Sequence, residues 1–220
     1  MPGAQRGVTV FTLGGIREGA GAALRDSFSA VEVLPIDLPP GASLAASQPA
    51  LRAEVNRAAN DWILLLREGE RVTARGAAEM GASVTEPPKA WGFRLRIAPT
   101  CGGAPLLLDP GISGEIRFFH RRHARFDLRG RGEMNVEGTV LRLREPLERE
   151  LFASHEAHRA WLAAHGVPHS ALRRTLLFAK RALVTRALFR SGTTLRWLWD
   201  EAGWDLGSEA SWASGASRAS

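Results

Sequence analysis

Three groups of residues have the types and spacing to do chemistry. His155, His158, His165 and His169 fall within one short stretch. His155 and His158, three apart, would share a helix face, and imidazole is a common zinc ligand. No cysteine accompanies them, the text reads H-E-A-H rather than H-E-x-x-H, and Gly166 and Pro168 break the stretch. Surface histidines are the expectation. The second group is the basic run His120-Arg121-Arg122-His123-Ala124-Arg125, continued by Arg129 and Arg131 and interleaved with Phe118, Phe119 and Phe126. Such a run could contact phosphates and stack on bases. The third is Arg67-Glu68-Gly69-Glu70-Arg71, directly after the most apolar stretch of the chain, Trp62–Leu66. Guanidinium groups in a dry site stabilise charge growing on a phosphate.

The elements that must position these groups read as α/β. Val8–Leu13 is β-branched and aromatic and ends at Gly14-Gly15, a first strand and turn; Ala20–Phe28 has the composition of a short helix. Val31–Leu38 is a second strand, which Pro35 directs to a sheet edge. Leu51–Ala59 places Leu51, Val55 and Ala58 on one helical face. Trp62–Leu66 is short, continuous and apolar, as expected of the buried central strand of a parallel sheet. Val72–Met80 reads as a helix, Trp91–Ile97 as an alternating strand, and Pro105–Leu108, Glu115–Phe119 and Val140–Leu143 as further strands. From Leu151 the pattern becomes helical: Leu151–His165, Ser170–Phe189 and Thr193–Ala202.

Composition limits the classes. The 220 residues carry 45% hydrophobic and 24% charged residues, ordinary for a globular protein. The net charge is +6, and only Lys89 and Lys180 are lysines. Arginine's planar fork suits phosphate, although a GC-rich genome produces the same bias. The single cysteine, Cys101, excludes an internal disulfide. The N-terminal MPGAQRGVTVFTL lacks a secretory pattern, and no apolar run reaches the ~20 residues that span a bilayer. A cytoplasmic protein is expected, including one working at the inner face of the membrane.

Leu51–Thr73, LRAEVNRAANDWILLLREGERVT, with its order of Asn56, Asp61, Trp62, Ile63, Leu64 and Leu66, resembles family-2 glycosyltransferases of the lipopolysaccharide-core and envelope-sugar type. Those carry a helix with Asn, then a D-W-I-L strand ending in L-D-A-D-E. Gly114–Phe126 (GEIRFFHRRHARF) resembles the family's E-x-R-L-F-R-R-x-x-A-R-F segment, and Val136-Glu137-Gly138 with Leu143–Leu147 resembles the stretch carrying V-H-E and P-L-x-H. The likeness covers about residues 51–149. It implies a GT-A fold, a mixed sheet flanked by helices, with one domain over residues 1–206: a nucleotide-sugar half at 8–100, an acceptor half at 101–150 and C-terminal helices at 151–206. Residues 207–220 are low in complexity and expected to be a disordered tail.

The resemblance further implies a nucleotide-sugar and a glycan acceptor as partners. The donor would meet Asp37, Arg67, Glu68, Glu70 and Arg71, and the acceptor Glu115 and Arg117. In the family, the two aspartates of L-D-A-D-E hold a divalent cation on the donor diphosphate, a Lewis-acid role. Here those positions hold Arg67 and Gly69. An arginine repels a cation and glycine offers no ligand atom, so no metal and no cofactor are expected there. Two readings stand. Arg67, helped by Arg71, replaces the cation and pairs with the diphosphate; or the site is dead and Arg67 pairs with an acidic neighbour. Other departures favour the second. The nucleotide loop after the second strand shrinks to Asp37-Leu38-Pro39-Pro40-Gly41, the His of V-H-E is missing before Glu137, and Arg149 replaces a second His. Glu137 is the candidate base for an acceptor hydroxyl, set against a plain turn glutamate before Gly138.

The function expected is that of a glycosyltransferase-like protein which, if active, transfers a sugar without metal to an envelope glycan or lipid-linked acceptor. The alternative is an inactive relative that binds a nucleotide, glycan or protein. The basic helix from Ser170, with Trp197, Trp199 and Trp204 behind it, could rest on an anionic membrane. The basic run at His120 belongs to the glycosyltransferase-like segment, and nucleic-acid binding is set aside.

Overall fold

The computed structural model describes residues 7–14, 19–37, 44–84, 87–106, 114–126, 134–165, 167–168, 170–184, 192–202 and 204–205. In chain order the elements used below are β1 (Val8–Leu13), β2 (Val31–Ile36), α1 (Leu44–Val55), β3 (Trp62–Arg67), β4 (Glu70–Arg71), α2 (Ala74–Ser83), β5 (Gly92–Leu95), β6 (Ile97–Cys101) and β7 (Ala104–Pro105). They continue with β8 (Glu115–His120), β9 (Ala124–Arg125), β10 (Asn135–Val136), β11 (Val140–Arg142), β12 (Leu147–Phe152), α3 (His155–His165), α4 (Ala171–Val184) and α5 (Gly192–Glu201). The protein is mixed α/β. Its chain divides into two compact units, Met1–Ile97 with Ser113–Leu147, and Ala98–Ile112 with Glu148–Ser220.

The first unit is built on a six-stranded sheet of order β11-β5-β8-β3-β1-β2. β1 pairs in parallel with β2 and β3, from Val8↔Val31 and Val8↔Trp62 to Leu13↔Ile36 and Leu13↔Arg67. The apolar run of β3 has the expected position, buried beside β1, but the sheet around it is not all parallel. On its other side β3 meets β8 antiparallel, Trp62 opposite His120 and Leu64 opposite Phe118. Alternate side chains serve opposite faces. Trp62, Leu64 and Leu66 join Val8, Val10, Phe93 and Phe118 under α2, whose Ala77 and Met80 are fully buried. Ile63 and Leu65 join Phe11, Phe119 and the α1 residues Leu51 and Val55 on the other face. A strand covered on both faces must be apolar at every position, which is why β3 shows no alternation. β2, carrying Pro35, lies at the edge of the sheet, where a missing backbone donor costs least.

Several elements differ from their expected bounds. The helix expected at Leu51–Ala59 starts at Leu44, runs through Pro49 and stops at Val55. The one expected at Val72–Met80 starts at Ala74, because Thr73 caps it by accepting the Gly76 N–H at 3.0 Å. The helix expected at Ala20–Phe28 is only a 3₁₀ turn, Ala22–Leu24. The single strand expected at Trp91–Ile97 breaks at Arg96 into β5 and β6. A helix was expected from Leu151, yet Leu147–Phe152 is strand, and α3 begins only after Ser154, whose Oγ accepts the Ala157 N–H at 3.1 Å.

In the second unit β12, β6 and β7 lie side by side, and Cys101, Leu106, Leu151, Trp197 and Leu198 form a core. The expected strand residues Leu107 and Leu108, the end of the expected helix at 185–189 and the expected tail at 207–220 lie outside the described residues. Among the described residues no helix is long and apolar enough to cross a membrane.

Candidate functional site

The order of the first unit's sheet turns back at β1, with β2 on one side of it and β3 on the other. In open α/β sheets ligands collect outside the carboxyl ends of the strands at such a reversal. Leu13, Ile36 and Arg67 mark those ends here.

Arg67 is the last residue of β3. Glu68 and Gly69 turn the chain, Gly69 at φ 77°, a conformation that costs glycine nothing and other residues a steric clash. The turn brings Glu70 back so that its Oε2 accepts the Arg67 backbone N–H at 2.8 Å. Opposite, β8 carries a β-bulge. Phe93 pairs with Phe118 and Arg94 with Ile116, so Arg117 is the extra residue. Its guanidinium lies 3.3 Å from Glu70 Oε2 and 2.6 Å from Glu115 Oε2, and Arg67 Nη2 lies 3.8 Å from Glu115 Oε1.

Four of the expected site residues, Arg67, Glu70, Glu115 and Arg117, are thus brought together as an internal network. The side chains of Glu70 and Arg117 are each 1% exposed. Burying such charges is costly, and only close pairing makes the arrangement tolerable. Arg67 and Glu115, at 28% and 33%, form the wetter margin. Two carboxylates balance two guanidiniums, so the cluster offers little net charge to either a cation or a phosphate.

The remaining expected residues are elsewhere or face water. Asp37 is exposed just beyond β2, at the same end of the sheet. Glu68 and Arg71 are exposed on the turn and on β4. Glu137 is not brought to Arg67. It precedes β11, whose first residue Val140 pairs with Gly92 at the start of β5, and its N–H donates to His123 O at 2.8 Å. That is the amino end of the parallel strands, a strand length of ~20 Å from Arg67. The Glu137 carboxylate is exposed and held by Arg125, with Nε donating at 2.6 Å and Nη2 closer still.

At this amino end Asp61 ties down the basic run. Arg121 Nε donates to it at 2.8 Å, and Arg122 and His120 lie 3.2 Å and 3.8 Å away. Trp91, half-buried, stacks on His123 at 3.9 Å.

The second unit corrects the expectation of surface histidines for His158 and His155, while His165 is exposed as expected and His169 lies outside the described residues. His158 is fully buried, and its ring stacks flat on Trp197 at 3.7 Å. Its Nε2 lies 3.0 Å from Glu201 Oε1 on α5. His155, half-buried one turn earlier on α3, has its pKa held below the ordinary histidine range, by burial first and then by the Arg196 guanidinium. Asp200 is buried and takes Arg159 Nε at 3.2 Å. Nearby, burial pushes the Cys101 thiol pKa up, with Glu150 adding to it. The sequence does hold a signal for this group: His155 and His158 three apart, and an adjacent acidic pair later in the chain. Their meeting depends on α3 packing against α5, which no local pattern announces. No protein-family model matches the chain, and no curated protein matches it.

Proposed function

We propose that this protein is a glycosyltransferase-like binding module of GT-A type without transferase turnover. The reading takes its family from the order of Leu51–Thr73, Gly114–Phe126 and Val136–Leu147 along the sequence. The parallel β2-β1-β3 half, extended by antiparallel β8, supports it. The observation that carries it is the Arg117–Glu70 pair, sealed from water at the end of β3. Where a donor diphosphate and its cation would need free charge, this chain supplies a charge-balanced network whose guanidiniums are paired with its own carboxylates. Glu137, the one candidate base, lies at the other end of the sheet, in contact with Arg125. A nucleotide, glycan or protein would be bound at the carboxyl ends of β1, β2 and β3 and left unchanged.

The test is nucleotide release from a panel of UDP-, GDP- and CMP-sugars, with Mn²⁺ and separately with EDTA. No release above the uncatalysed rate is expected under either condition. Turnover of any donor overturns the proposal.

A second reading has its own observation. The Arg67–Glu115 contact is the loosest of the network and lies at its wet margin. A diphosphate competing for Arg67 could bind there without metal, which is the arginine-for-cation reading. UDP-sugar binding in EDTA that weakens at least tenfold in Arg67→Ala supports it; unchanged binding removes it. A membrane role belongs with either reading. Leu172 and Leu176, one turn apart on α4, are 73% and 62% exposed beside exposed Arg173, as on a helix that rests on an anionic lipid surface.

A further inference from the structure

His155 and His158 occupy the first turn of α3 and therefore project from one side of it. α5 delivers Asp200 and Glu201 to the same place. One ring nitrogen of each histidine and one carboxylate oxygen of Asp200 lie within 4.8 Å of one another, the one such group of three among the described residues. All of these residues belong to the second unit, whereas Arg67 and its network belong to the first.

The hydrogen bonding orients the His158 ring. His158 Nε2 lies 3.0 Å from Glu201, and a carboxylate there accepts the Nε2 proton. In the neutral ring Nδ1 is then a lone pair. It is fully buried and meets no partner among the described residues, and the same holds for His155 Nδ1. Buried polar atoms are nearly always satisfied, and these two imidazole nitrogens belong to the residues that group with a buried carboxylate, Asp200. A cation bound to both rings and to Asp200 gives both a partner.

We propose that His155, His158 and Asp200 bind one divalent transition ion of the Zn²⁺ type, with Glu201 behind His158 as a positioning residue. Two imidazoles and a carboxylate are a donor set that suits Zn²⁺ and Co²⁺, and three protein ligands leave a fourth position for water or another ligand. Glu201 has the role that carboxylates commonly play behind ligating histidines: it selects the tautomer, fixes the ring and raises its basicity. The stacking on Trp197 holds the same ring in plane. The competing charges are arginines. Arg159 contacts Asp200 Oδ2 at 3.2 Å and Arg174 approaches Oδ1 at 3.8 Å. The Arg159 side chain is about half exposed, so it can turn into water and release an oxygen at little cost.

The experiment uses the untagged full chain, stripped with EDTA and dialysed. ZnCl₂ titrated calorimetrically is expected to bind with a 1:1 stoichiometry and to raise the melting temperature. CoCl₂ is expected to produce the visible absorption bands of a four-coordinate site. His155→Ala, in a half-buried position that spares the core, should weaken Zn²⁺ binding at least tenfold. Glu201→Gln should weaken it about 10- to 100-fold while leaving all three ligands in place. His165→Ala, at the exposed end of α3, should change nothing. If the wild type binds neither ion, the orphaned nitrogens are hydrated instead and the proposal falls. It falls equally if His155→Ala binds as the wild type does, or if His165→Ala loses as much. None of these results depends on sugar transfer, so they leave the proposed function to its own test.

Discussion

Arg117 illustrates how much of this protein rests on single buried charges. Its guanidinium is the centre of an ion-pair network whose other buried member is Glu70. Removing one partner leaves a carboxylate desolvated and unpaired, whereas removing both can come close to neutral. Arg117→Met is therefore expected to lose about 3–5 kcal/mol of stability in urea unfolding. The double variant Arg117→Met with Glu70→Leu should recover most of that loss. A loss in the double variant equal to the sum of the losses in Arg117→Met and Glu70→Leu would show that the pair is not coupled. Sequence reasoning named all four residues of the network but assigned them to a donor and an acceptor. Residue types identify a charge; they do not tell whether its partner is a ligand or the protein itself.

At the scale of elements, backbone geometry explains the residues that departed from the resemblance. Gly69 stands where the sequences this chain resembles carry an aspartate, and its positive φ makes the turn that returns Glu70 to Arg67. Gly138 does comparable work before β11. Its φ is 98°, and a Cβ there would lie 2.8 Å from Trp91 Cδ1. Gly14 has nearly the same φ, 94°, but among the described residues nothing lies within 4 Å of a Cβ there. Gly138→Ala is thus expected to cost about 2–3 kcal/mol and to shift tryptophan emission, and Gly14→Ala only about 1 kcal/mol, the backbone term alone. Comparable losses in thermal unfolding would contradict the contact with Trp91. Strands β1, β2, β3 and β8 and helix α5 were legible because burial on one or both faces leaves a periodic or continuous apolar record. β12 was not, since Leu147–Phe152 (LERELF) buries only Leu147 and Leu151, a four-residue spacing that reads as a helical face.

For the molecule as a whole, net charge and exposed apolar groups decide the partners it can meet. A charge of +6 favours anionic surfaces in general, and its effect falls with salt. The exposed Leu172 and Leu176 add a contribution that salt does not remove. Co-sedimentation with vesicles containing anionic lipid is expected at low salt and should drop severalfold in Leu172→Glu with Leu176→Glu. Sedimentation that ignores this double substitution, or that never occurs, rules out α4 as the contact. Binding to unrelated DNA should be weak, because Asp61 engages Arg121 and Glu137 engages Arg125 within the fold.

What the sequence determined by itself was local: the α/β class, the buried β3 strand and the edge position of Pro35, but not the bounds of α1, α2 and α3. These depend on propensity, on periodicity of burial and on φ restrictions, all of which act over a few residues. The tertiary structure alone decided which charges meet. Glu70 and Arg117 are 47 positions apart, His158 and Glu201 43 apart, and Glu137 is carried to the far end of the sheet from Arg67. Electrostatic pairing acts through space across strands and helices, and its partners leave no periodic trace in the chain.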